Sequence, residues 1–157
     1  MSRKVLAVLA GWLVLTVVVM AGFALGSMAL GFERVLRPGS YDASPLWIAI
    51  SSGITLVAAL CAGVVSTLIG RGTGPARVLA AAVLVLGTGA AIAGDGRPDP
   101  PPRVEGASAR EVMAALAEHG REPLVTRISN PLLGLTGILV GWASVRRRSA
   151  GASPPTP

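Results

Sequence analysis

The chain has 157 residues, 52% hydrophobic and 14% charged, with a formal net charge of +6. A soluble domain carries about 25% charged residues, and the deficit here comes from long uncharged stretches separated by basic clusters. No basic stripe is interleaved with aromatics, so the charge points to membrane orientation and argues against nucleic-acid binding. Cys61 is the only cysteine and lies in an apolar run, which rules out an intramolecular disulfide and a cysteine-based metal cluster. The basic residues are nearly all Arg, and Ala, Gly and Pro are abundant, a composition expected of a GC-rich bacterial genome.

Four stretches match the roughly 20 apolar residues a helix needs to cross about 30 Å of hydrocarbon. They cover about 5–32, 45–70, 76–94 and 128–146. The sequence therefore predicts an all-α transmembrane bundle of four helices over residues 1–148, followed by a disordered tail at 149–157. In the first span, Arg3 and Lys4 could serve as the basic region of a secretory signal, with cleavage near Ser27-Met28-Ala29. Its apolar run far exceeds the roughly 7–15 residues of such signals, so an uncleaved anchor is expected. Gly22 and Gly26 form a GxxxG pair along it. Glu33 to Arg37 favours helix and Pro38-Gly39 stops it, so the first helix is expected to project one or two turns past the membrane.

The second span opens at Ser44-Pro45, a capping residue before a proline at the first helical position. Ser51, Thr55, Ala59, Gly63 and Thr67 recur at spacing four, beside a second row of Ala58, Ala62, Ser66 and Gly70. Residues four apart stack along one helix face, and small residues let helix backbones approach closely in lipid. Ile50, Val57, Leu60, Val64 and Leu68 are expected on the other face. The third span has its start signal at Gly74-Pro75.

A long polar outer loop follows over 95–130. Pro98 to Pro102 should be extended, and Ser108-Ala109-Arg110-Glu111 is a capping box. A short helix should run to His119 and stop at Gly120, with Val112, Met113 and Leu116 on one face. That helix is expected to rest on the bundle or the lipid surface, or to serve as a binding element. Asn130-Pro131 signals the start of the fourth span, which carries Gly134, Gly137, Gly141 and Ser144 along one face.

All eight acidic residues lie in the first and third connections. The other side carries Arg3, Lys4, Arg71, Arg77, Arg146, Arg147 and Arg148 without an acid. Each side has seven Lys and Arg, but these seven are packed into short segments beside span ends. That density predicts both termini in the cytoplasm. Tyr41 and Trp47 would then join the outer aromatic belt and Trp142 the inner one.

No Asp, Glu, Lys, Arg or His falls inside any span, which argues against proton-coupled transport. Four-span multidrug transporters need a membrane-embedded carboxylate, which the first span lacks. His119 is the only histidine; this excludes a haem held by two histidines, and a solvated residue is expected. No P-loop, GxSxG, HExxH or dinucleotide fingerprint is present. The residues therefore nominate no catalytic, cofactor-binding or metal-binding position. The nominated positions are for helix packing: Gly22, Gly26, Ser51, Thr55, Ala59, Gly63, Thr67, Gly134, Gly137 and Gly141.

The basic N-terminus, Leu36-Arg37-Pro38-Gly39-Ser40, Leu46-Trp47-Ile48 and Asn130-Pro131-Leu132-Leu133-Gly134 together resemble uncharacterised small four-span bacterial integral membrane proteins. The resemblance implies no function. The expected role is a non-enzymatic interaction or accessory subunit of the cell envelope, in the bacterial inner membrane, using its outer loop for contact. The alternative is an oligomeric channel or transporter component with Ser51, Thr55, Thr67 and Thr88 along a polar path. A third possibility is a surface enzyme using the outer Asp, Glu, Arg and His residues. The expected partners are the lipid bilayer and a membrane protein or further copies of the chain, without nucleic acid or cofactor.

Overall fold

The computed structural model describes residues 2–93, 102–103, 106–119 and 123–151. Among the described residues six helices follow in chain order: α1 Arg3–Leu30, α2 Phe32–Val35, α3 Pro45–Gly70, α4 Gly74–Ala93, α5 Ala109–His119 and α6 Leu124–Gly151. Helices α1, α3, α4 and the Leu124–Arg148 part of α6 are each long and apolar enough to cross a membrane. At 1.5 Å per residue even a 20-residue helix reaches about 30 Å. The expectations for Pro98 to Pro101, Gly120 and residues 152–157 lie outside the described residues.

Local chemistry accounts for most helix ends. Ser44 caps α3: its hydroxyl accepts the Trp47 N–H at 3.1 Å, and Pro45 takes the first turn. The same hydroxyl donates to the Arg34 carbonyl, and the Ser44 N–H donates to Val35 at 2.8 Å. The start of α3 is thereby tied to α2. The first helix does not project as one rod. Gly31 has φ 73° and ψ 155° and ends α1 at Leu30, and α2 begins afresh one residue later. Only glycine takes that conformation without strain. The break turns the chain so that Leu36 bridges antiparallel to Ala43, with the Arg37 N–H donating to the Asp42 carbonyl at 2.9 Å.

The fourth span departs from the sequence reading at both ends. Its helix starts at Leu124 and runs through Asn130-Pro131, leaving Pro131 inside. An internal proline removes one backbone bond and crowds the carbonyl four residues earlier. Here packing overrides that cost, because Pro131 is buried against α4. A methyl group on Gly87 would lie 2.8 Å from Pro131 Cγ. At the other end α6 extends to Gly151, so residues 149–151 are helical and not part of a disordered tail.

Helix α3 packs along both α1 and α6, and α4 packs chiefly on α6 with smaller contacts to α1 and α3. Leu79 of α4 and Ile138 of α6 are fully buried among Ala59, Ala62, Ala76 and Ala80. The buried residues of α4 all belong to its first two turns: Pro75, Ala76, Leu79 and Ala80. Farther along, Val85, Leu86 and Ile92 are exposed, as are Leu13, Val17, Met20 and Leu25 of α1. Apolar surface on this scale suits a helix facing lipid, where it needs no cover.

The break at Gly31 generates the first prediction. Gly31→Ala should destabilise the protein by about 1–3 kcal/mol, the cost of forcing a side chain into that backbone region. Gly53, whose added methyl would meet nothing within 4 Å, should accept Ala with no loss and a gain of up to about 1 kcal/mol. Thermal unfolding of both variants in one detergent measures the difference.

Candidate functional site

Among the described residues no three His, Cys, Asp or Glu side chains lie close enough to share a metal ion. What the structure does concentrate is a seam of small residues through its centre, a polar cap at one end and a basic groove at the other.

The seam is the line along which α3 meets α6. A methyl group on Gly63 would lie 2.8 Å from Ile138 Cα and closer still to the Ile138 carbonyl oxygen. One on Gly137 would lie 2.6 Å from Ala59 Cβ and 3.0 Å from the Leu56 carbonyl oxygen. One on Gly141 would approach the Leu60 carbonyl, with Val64 N at 3.1 Å. The two backbones are thus in direct contact over several turns. Gly134 turns elsewhere, toward Val83 of α4 at 2.7 Å. Gly22 and Gly26 make room for α3 side chains: Ile54 Cγ2 would lie 2.5 Å from a methyl on Gly22, and Trp47 Cζ3 3.1 Å from one on Gly26.

One face of α3 differs from the sequence reading. Leu60 and Val64 do not face away from the bundle: both are half-buried, and their backbone atoms receive the α6 glycines. The outward positions are Gly53, Val57, Cys61 and Leu68. The small rows face α1 on one flank and α6 on the other, so the buried arc is wider than one groove. The hydroxyls of the row also stay within their own helix. Ser51 donates to the Ile48 carbonyl at 3.1 Å, Thr55 to Ser51 at 2.9 Å and Thr67 to Gly63 at 2.6 Å. Thr88 is exposed on the second half of α4, while Ser51 and Thr67 are buried in α3.

The cap gathers at the end that carries the acids. Arg103 Nη2 donates to Glu33 Oε2 at 2.7 Å, and the Arg103 N–H donates to the Gly39 carbonyl at 3.1 Å. The guanidinium side chain is 6% exposed and the carboxylate 82%, so the pair acts mainly as a clasp holding residue 103 onto the Leu36–Ser44 turn. Val112 is buried with Val35 and Leu36, beside Leu116, Phe32 and Trp47. Met113, 57% exposed, sits about 100° around α5 from Val112 and leaves the docked face. Tyr41 is buried and Trp47 packs edge-on against Phe23 at 5.6 Å, so neither stands free as an aromatic belt residue. At the start of α5 the Ser108 hydroxyl and N–H both donate to Glu111 Oε2 at 2.7 Å. These bonds, the hydroxyl first, hold the Glu111 carboxyl below the usual glutamate pKa.

At the opposite end, Arg3 Nε donates to the Ile69 carbonyl at 2.7 Å, serving the open C-terminus of α3. Arg77 and Arg146 each place their guanidinium carbon 5.5 Å from the Trp142 ring centre. Between the α3–α4 turn and α6 lies a groove of about 720 Å³ lined by Thr67, Leu68, Arg71, Gly72, Thr73, Val145 and Arg146. Sequence reasoning assigned these arginines to orientation alone. The local signal for something more was an Arg between Gly70 and Gly72 where a helix ends. Comparison with protein-family models, curated proteins and solved structures finds no match to this chain.

Two predictions follow from this geometry. Gly63→Leu should lower stability by about 1–3 kcal/mol through overpacking, whereas Val57→Leu on the exposed face should stay within about 0.5 kcal/mol; thermal unfolding in one detergent compares them. For the capping box, the lowered Glu111 pKa means its contribution is complete above the ordinary glutamate pKa and is lost as pH falls through the lowered folded value. The Ser108 amide resonance should report that loss on acidification, and Glu111→Gln should abolish the pH dependence.

Proposed function

We propose that this chain is a non-enzymatic accessory subunit, a four-helix transmembrane bundle of the bacterial inner membrane with both termini in the cytoplasm, that binds a membrane-protein partner through its outer cap. The observation that carries this reading is the closed seam: α3 and α6 meet backbone to backbone at Gly63, Gly137 and Gly141, and the hydroxyls of Ser51, Thr55 and Thr67 bond within their own helix. Those three hydroxyls therefore offer no polar route along this axis, and the described charged groups lie toward the two ends. The cap supports a contact role because α5 is held by one apolar face while Met113 stays exposed. Orientation is supported by the seven basic residues in short acid-free segments at the other end.

In the accessory reading, the purified chain in vesicles shows no potassium or small-dye flux above empty vesicles. With Cys61 replaced by Ser, a cross-linker on Met113→Cys should join the chain to a different protein in intact cells, and one on Val57→Cys should not. Protein-dependent flux together with a homo-oligomer in native mass spectrometry would overturn this in favour of the channel alternative.

A further inference from the structure

We infer that the groove between the α3–α4 turn and the end of α6 is a binding site for the phosphodiester headgroup of an anionic membrane lipid, with Arg71 and Arg146 as the two cations that hold it. The inference rests on the chain spanning a bilayer and not on the partner proposed above.

Three observations converge. The groove lining combines the polar side chains of Thr67, Arg71, Thr73 and Arg146 with the apolar ones of Leu68 and Val145. That pairing matches a lipid, whose phosphate and first acyl carbons lie within a few ångströms of one another. Basic pockets between spanning helices on the cytoplasmic side are suited to acidic headgroups. Second, no acid among the described residues lies beside the groove. The described acids Glu33, Asp42, Glu111 and Glu118 lie in the connections at the opposite end of the long helices, and both groove arginines are exposed. A guanidinium presents a planar fork of donors that fits a phosphate. Arg146 is additionally steadied by its place over Trp142.

Third, Arg71 stands where helix chemistry favours glycine. It is the only described non-glycine residue with positive φ, at φ 49° and ψ 38°, and it forms the C-cap of α3 between Gly70 and Gly72. That left-handed position is normally given to glycine because any side chain is penalised there. An arginine at a position that disfavours it is explained if its side chain has work to do in the groove beside it.

The test uses the purified full chain, delipidated in a neutral detergent, with phosphatidylglycerol or phosphatidylcholine added and bound lipid counted by native mass spectrometry. Wild type should bind phosphatidylglycerol roughly tenfold more tightly than phosphatidylcholine, a preference the size of one charge-assisted hydrogen bond. Arg71→Gly relieves the backbone penalty, so it should unfold at the same or a higher temperature while losing that preference. Arg147→Gln, an exposed basic residue outside the groove lining, should keep phosphatidylglycerol affinity within about twofold. Arg71→Gly binding phosphatidylglycerol as wild type does would overturn the proposal. So would equal losses in Arg71→Gly and Arg147→Gln, which would mean diffuse attraction to charge. Displacement of the lipid by an equal concentration of inorganic phosphate would assign the groove to a free anion and overturn the lipid assignment.

Discussion

In hydrocarbon, two apolar helices gain nothing by hiding from solvent, so they stay together only where their backbones approach closely enough for dispersion contacts along their length. The α3–α6 seam meets that condition. Gly63 lies against the backbone of Ile138, and Gly137 and Gly141 lie against Leu56, Leu60 and Val64. No side chain fits between the two helices at these points. Leu79 and Ile138 then close the space left beside the seam, surrounded by alanines. The rest of the molecule is arranged around this axis: α1 lies along the second flank of α3, and α4 leans on α6.

The seam also determines what the interior can do. A close backbone crossing excludes water, and a buried hydroxyl must then find its acceptor nearby. Ser51, Thr55 and Thr67 find theirs in the preceding turn of their own helix. The Ser66 hydroxyl is buried beside them without a partner. The described charged groups lie toward the two ends, and the ends differ. At the cap, carboxylates find local donors, as in the Arg103–Glu33 clasp and the Ser108–Glu111 box. At the groove, cations gather without acids, and they turn to the Ile69 carbonyl and the face of Trp142 instead.

Two of the positive-φ residues, Gly31 and Arg71, show how local strain is placed. Gly31 interrupts a helix the flanking residues would otherwise continue, and this lets Ser44 reach the carbonyl of Arg34 and lock the first turn of α3 to α2. Arg71 reverses the chain between α3 and α4 in a conformation its side chain disfavours. Pro131 offers a third case, in which the helix persists through a residue that would break it in water because its ring fills the space above Gly87.

The sequence by itself determined the four apolar lengths, the caps at Ser44 and Ser108, the small-residue rows of α3 and the segregation of charge, because each depends on neighbours within a few residues. Only the tertiary structure decided which helices touch. Spacing four identifies Ser51 to Thr67 as one face, but two flanking helices share a wide arc, so Leu60 and Val64 became contact positions and not lipid-facing ones. The start of α6 was misread for a similar reason: Asn130-Pro131 is a start signal by local chemistry, and Gly87 on another helix changes its meaning. The groove was equally out of reach, since Arg71 and Arg146 are 75 positions apart and line one groove only because α3 and α6 pack side by side.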